Sequence, residues 1–169
     1  MRIFAISGSA SEKGSNYFLL EAMKVLFEGE HEIHIFDALA DFPLFSPKRL
    51  EHEIPEIVKD FKKQVLLADA IIISTPEYTH NIPAVLKNMI EWCTHSGEFE
   101  HKPVLPITFT PHEPRGEYAM KSLLFSLNAL EANVIVQIPL YKTDVEITNE
   151  LIILSEATKE VLVAAFELL

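Results

Sequence analysis

Apolar residues run without interruption at Ile3–Ser7, Ala70–Ser74, Val104–Phe109 and Val134–Ile138, and continuous hydrophobicity over such short stretches predicts strands buried on both faces. A fifth stretch, His31–Phe36, alternates apolar and polar positions and suits the edge of a sheet. Between these runs the apolar residues fall three and four apart. Leu19, Met23, Leu26 and Phe27 mark one helical face, and Ile54, Ile57, Val58, Phe61 and Val65 the next. The clearest set is Ile82, Val85, Leu86, Met89, Ile90 and Cys93. It is followed by Met120, Leu123, Leu124, Leu127 and Leu130, and finally by Leu151, Leu154, Val161, Leu162 and Ala165.

Strands alternating strictly with helices predict an α/β fold, because right-handed crossovers lay consecutive helices against a parallel sheet. For five strands the flavodoxin-like doubly wound order 2-1-3-4-5, with helices on both faces, puts the alternating His31–Phe36 strand at an edge. One position conflicts: Pro106 falls inside interior strand four, where it removes a ladder N–H, so a bulge or a shifted strand boundary is expected there. The segment Ala40–Pro55 has no period and reads as a loop.

A chain of 169 residues with 49% hydrophobic content is expected to form one compact domain over residues 1–169. Its opening, MRIFAIS, lacks the longer apolar core of a secretory signal, and no apolar run approaches the ~18 residues of a membrane helix. Cys93 is the only cysteine, so no intramolecular disulfide is possible and a cytoplasmic setting is expected. The formal net charge of −11 disfavours nucleic acid as a partner, and without a long apolar run no membrane partner is expected. An anionic ligand must then be held locally, above all by backbone N–H groups at a helix start.

Two loops meet where the winding of such a sheet reverses, beyond strands one and three. The first, SGSASEKGSNYFLL, offers Gly8, Ser9, Ser11, Gly14, Ser15 and Asn16 before a helix: small hydroxyl residues that let the backbone wrap an anion, or ordinary turn and cap residues. It matches neither G-x-x-x-x-G-K-[ST] nor G-x-G-x-x-G, which leaves a monophosphate as the best fit. Lys13 either adds a charge there or is solvated. The second loop, TPEYTHNIPAVLKNMIEW, resembles the TPEYN-x-S-x-P-G-x-LKN-x-IDW signature of the NADPH-dependent FMN reductase family. Gly8, Ser9, Ser15 and Asn16 fall at the spacing of that family's G-S-L-R-x-x-S-S-N, and Asp41–Phe45 is similar to its connection after strand two.

The resemblance implies that Ser9, Ser11, Ser15 and Asn16 enclose the FMN phosphate, and that Pro76, Glu77, Tyr78 and Thr79 line the isoalloxazine. Prolines on either side hold that bend rigid, and Asn81 is expected to cap the helix that follows. The implied activity is an FMN-dependent oxidoreductase that takes electrons from NADPH or NADH and passes them to a small-molecule acceptor such as a quinone, azo compound or flavin. An electron-transfer flavoprotein that NAD(P)H does not reduce directly is the alternative. No protein side chain is expected to be catalytic, since the transfer needs stacking more than a proton donor. The resemblance also implies a homodimer or homotetramer, with the third helix and EWCTHSGEFE as contact surface. Departures from the signature are Ser11 for Arg, Thr79 for Asn, Asn81 for Ser and Ala84 for Gly. Without the guanidinium, phosphate binding is expected to weaken by ~1.5–3 kcal/mol unless Lys13 or backbone groups compensate.

The seven histidines show no metal-ligand spacing. Cys93 sits on an apolar helical face as a core residue. Trp92 and Phe99 read equally as packing or as subunit contacts. Arg115 reads as a partner for a nicotinamide-nucleotide phosphate or as a solvated helix residue, and His80 and His112 share loops that reach the crevice.

Overall fold

The computed structural model describes residues 1–148 and 151–169. Strands β1 (Arg2–Ser7), β2 (Glu32–Phe36), β3 (Ala70–Thr75) and β4 (Pro103–Thr110) pair in parallel, in the order β2-β1-β3-β4. The fifth position holds two short strands, β5 (Asn133–Val134) and β6 (Ile138–Tyr141), both parallel to β4. This is the flavodoxin-like order, and β2 lies at the edge its alternation called for.

Alternate residues of the central strands feed two apolar layers. Phe4, Ile6, Ile71 and Ile73 face helices α3 (Glu56–Leu67), α4 (Ala84–Trp92) and α5 (Glu117–Ala129), whereas Ile3, Ala5 and Ile72 face α1 (Ser15–Leu26) and α6 (Glu156–Phe166). Strand β3 is buried throughout because both layers claim it.

Pro106 causes no break in β4, where it lies opposite Ile73 of β3. The Ile135 amide donates to the Val104 carbonyl, so Val104 and, two residues on, Pro106 direct their backbone groups toward the fifth strand. The missing donor therefore faces the gap between β5 and β6, and the expected bulge in strand four is instead an interruption of strand five. The expected strand Val134–Ile138 is divided there.

Two further expectations need correction. Ala40–Pro55 is not all loop: a 3-10 turn at Leu39–Asp41 and helix α2 (Pro47–His52) lie in or against it. This stretch docks on α4, where Asn88 accepts from the Phe45 amide at 2.8 Å and the Trp92 indole N–H donates to the Pro43 carbonyl at 2.8 Å. Leu151 and Leu154 do not begin the last helix but belong to β8 (Leu151–Leu154), which pairs antiparallel with β7 (Val145–Thr148). The helix starts only after Ser155, whose hydroxyl accepts from the Thr158 amide at 3.2 Å. No helix of the described residues is long and apolar enough to cross a membrane.

Candidate functional site

Gly8 directly follows β1 and lies against β3: its amide donates to the Ser74 carbonyl at 2.7 Å, and a Cβ there would lie 2.9 Å from that oxygen and 3.0 Å from Leu86. Only glycine lets the two strand exits close so tightly. The chain then folds back on itself, with the Ser9 hydroxyl accepting from the Ser11 amide at 3.2 Å and the Gly14 amide donating to the Ser11 carbonyl at 3.1 Å. Lys13 takes a left-handed φ of 46°, and its amide is held by Asp37 at 2.7 Å.

Helix α1 begins with an extended Gly14 and no side-chain cap. Among the described residues the amides of Ser15, Asn16 and Tyr17 therefore have no protein acceptor, which leaves the positive pole of a 12-residue helix open to an anion. Asn16 is buried, and its side-chain oxygen accepts from Ser74 Oγ at 2.8 Å, fixing the helix start to the end of β3.

The second loop is a tight reversal. Tyr78 and Asn81 exchange backbone hydrogen bonds at 2.9 and 3.0 Å, and the two residues between them, Thr79 and His80, have φ of 49° and 56°. Left-handed conformations at both central positions define the hairpin turn that normally selects Asn-Gly. Asn81 does not cap α4, which starts three residues past it at Ala84 behind Pro83. Its side-chain oxygen instead accepts from the Ile82 amide at 2.9 Å and from Ser122 Oγ of α5 at 2.6 Å.

The Glu77 side chain lies between the bend and the start of α5 and is only 7% exposed. A single carboxylate oxygen accepts from the amides of Gly116, Tyr118 and Ala119 at 3.2, 3.0 and 3.1 Å, and so caps α5 from a neighbouring loop. The other oxygen stands 3.6 Å from His80 Nδ1.

These loops enclose a crevice of about 250 Å³. Ser9, Ser11, Ser15 and Asn16 line one side, and Pro76, Glu77 and Tyr78 another. Of the residues expected at the site, Thr79 alone lies elsewhere, in a groove of about 860 Å³ between the start of α4 and α5. Tyr78, half exposed, borders both spaces. Lys13 lines a different space, a groove of about 740 Å³ between α1 and β8, and is not among the residues lining the crevice.

The profile of the family described as NADPH-dependent FMN reductase matches residues 1–142. The chain belongs to that family. It is 30% identical over 136 residues to the NADPH azoreductase of Bacillus sp. (strain OY1-2), across 80% of this chain and 73% of that one. It is 35% identical over 106 residues to the NADH:(hydroxy)cinnamate reductase subunit CrdA of Vibrio ruber. That match covers 62% of this chain and 52% of the relative, so the chain spans about half the length of that protein. The flavoenzyme NAD(P)H:(acceptor) oxidoreductase FerB from Paracoccus denitrificans shares the fold, with a TM-score of 0.80 at 22% identity over 99% of this chain and 96% of that one.

The family member's crevice also draws on residues that the two loops alone do not reveal. Thr110 and Lys142 follow or close β4 and β6, and Pro111 and Arg115 belong to the β4–α5 loop. Their signal in the sequence is position: they stand at the carboxyl ends of strands, where doubly wound sheets collect ligands. His112 and His80 are exposed, with His80 edge-on to Tyr118 at 4.6 Å between ring centroids. Trp92 and Phe99 are fully buried and serve packing. Cys93 is buried too, and desolvation, followed by the charge of Glu98, pushes its thiol up to about 12. Among the described residues no group of three or more His, Cys, Asp or Glu is placed to hold a metal.

Proposed function

We propose that the crevice binds FMN and that the protein is an FMN-dependent NAD(P)H oxidoreductase acting on small acceptors such as quinones, azo compounds or free flavin. One observation carries this reading. At the point where the winding reverses, an open helix start lined by hydroxyls adjoins a rigid tyrosine-bearing bend in a single concavity.

The residues present suit a phosphorylated flat heterocycle. Unpartnered amides of Ser15, Asn16 and Tyr17, with Ser9 and Ser11, would hold the phosphate. Pro76, Glu77 and Tyr78 would border the ring, Glu77 through its backbone because its carboxylate is bound to α5. When bound, FMN supplies the redox chemistry; the chain orients it and leaves a face open to donor and acceptor in turn. Thr79 would meet the substrates rather than the ring, since its groove lies on the far side of Tyr78. A cytoplasmic setting, where NAD(P)H is abundant, belongs to the same reading.

A homodimer or homotetramer is part of it as well, with the contact moved from the third-helix segment to α5. There Phe125 and Tyr118 are 79% and 52% exposed, whereas Trp92 is buried. Light scattering on the purified protein tests this directly, and a monomer at all concentrations would remove it.

The deciding experiment is a visible spectrum after FMN addition and desalting, then anaerobic NADPH and, separately, NADH. Retained yellow colour bleached by either donor is the expected result. Flavin that is retained but reduced only by a partner reductase would replace the enzyme reading with the electron-transfer one. Failure to retain or bind FMN at all would overturn both.

A further inference from the structure

Among the described residues only Lys59, Lys62, Lys121 and Lys159 of the fourteen Lys and Arg are ion-paired, so it is position that sets two of the others apart. Arg115 and Lys142 stand at the crevice. Among the described residues, neither Arg115 nor Lys142 lies within ion-pair distance of a carboxylate, although both line the same concavity as the serine loop. Lys142 is half-buried, which makes an unpaired charge there more costly than on an open surface.

The acids around them are engaged or out of reach. Glu77 is committed to three amides of α5. Burial, then Glu113 and Asp144, hold the Tyr141 phenol above its ordinary value, which places both acids near the end of β6, yet neither pairs with Lys142. Asp144 accepts instead from the Tyr141 amide at 3.0 Å.

The serine loop has the converse deficit. Ser11 stands where the family resemblance expects an arginine, Lys13 lines another groove, and a helix start carries only about half an elementary charge. A phosphate monoester brings roughly −1.5 to −2. Hydroxyls and amides alone leave much of that charge uncompensated, inside a molecule of net charge −11.

We propose that Arg115 and Lys142 form a phosphate clamp in the crevice that the serine loop also lines, supplying from the β4–α5 loop and from the end of β6 the positive charge that the serine loop itself lacks. The proposal rests on the reading of the crevice as a coenzyme site and adds the residues that select a phosphorylated ligand. Arg115 is suited to two-pronged contact with phosphate oxygens, and Lys142 acts as a point charge. The phosphoryl group has two sources, FMN itself or the pyridine dinucleotide, and the test separates them.

Flavin-fluorescence titration gives the affinities of FMN and riboflavin for wild type, Arg115→Gln, Lys142→Gln and Lys13→Gln. Spectral titration of the FMN-loaded proteins with NADP⁺ and NAD⁺ follows. A loss of about tenfold in FMN affinity for Arg115→Gln, and less for Lys142→Gln, with riboflavin unchanged, is expected if the clamp holds the coenzyme phosphate. Unchanged FMN affinity with weakened dinucleotide binding would assign the clamp to the second source. Lys13→Gln should behave as wild type in both arms.

Equal losses for FMN and riboflavin would mean a structural role, and unchanged affinities throughout would mean two idle cations. Either overturns the clamp while leaving wild-type FMN binding, and so the coenzyme reading, intact. A wild-type protein that binds riboflavin and FMN equally weakly would remove the coenzyme reading, and the clamp with it.

Discussion

Replacing Glu77 tests how the crevice is held together, separately from what it binds. Its carboxylate oxygen satisfies the amides at the cap, second and third positions of α5, work that no side chain of α5 itself performs. Loss of a side-chain cap costs about 0.5–2 kcal/mol, and the charge at a partly buried helix start adds about 0.3–2 kcal/mol. The Tyr118 amide is near solvent and water can replace its share, so Glu77→Ala should lose about 2–3 kcal/mol rather than the sum of three charged bonds. For a chain of this size that is a fall in Tm of about 4–12 °C. Glu77→Gln keeps an acceptor oxygen and gives up the charge, and should lose about half as much. Urea unfolding of the FMN-free protein at neutral pH reads both. An alanine variant within about 0.5 kcal/mol of wild type would refute the claim that this carboxylate fastens α5 to the bend.

Thr79→Asn should raise the stability of the FMN-free protein by about 1 kcal/mol, because a β-branched residue at φ 49° is strained where asparagine is not; urea midpoints that stay level or fall would count against it. Gly8→Ala should lower both stability and FMN affinity, since the added carbon would lie 2.9 Å from the Ser74 carbonyl at the junction of β1 and β3; wild-type values in both measurements would contradict the close approach. Cys93 should resist a thiolate-dependent reagent at pH 8 in the native protein and react fully in urea, because with a thiol pushed up to about 12 only on the order of one molecule in ten thousand carries the thiolate. The linked stability has a definite sign: from the unfolded thiol's pKa, near 8.5, up to about 12 the folded state keeps a proton that the unfolded state has lost, so Cys93 lowers stability as pH rises. Cys93→Ala should remove that part of the slope.

What the sequence disclosed and what it hid divide along physical lines. The central strands and the helices packed on them are legible because burial imposes a period on apolar residues: Ile71, Ile72 and Ile73 serve two layers, and Leu86, Met89 and Ile90 serve one. The hairpin of β7 and β8 was misread because Leu151 and Leu154 also fit helical spacing. The β-branched runs VEIT and LIIL, and the capping Ser155 before Glu156, carried the opposite signal. The two main loops were legible as motifs with local chemistry, so seven of the eight expected residues share the crevice. Arg115 and Lys142 were harder to assign, because they are brought to it by the ends of strands far along the chain. Nor does local sequence reveal that Glu77 caps α5, since its partners lie 39 to 42 residues away.

That contact changes how the bend must be understood. Prolines fix the backbone at positions 76 and 83, but the residues between them include two in left-handed conformations, each costing about 1–2 kcal/mol for a side chain other than glycine. Such a turn persists only if the surroundings over-determine it. Here they do so twice: the reciprocal Tyr78–Asn81 bonds close the turn, while Glu77 and Asn81 anchor its two ends to Ala119 and Ser122 on α5. The loops after β3 and β4 are therefore one body, whose shape exists before any ligand arrives, and the ordering cost of binding falls accordingly. The proposed clamp residue Arg115 directly precedes Gly116, so the carboxylate that fixes the bend also fixes the backbone from which that side chain extends. In that proposal an acidic side chain helps an acidic protein present a basic one.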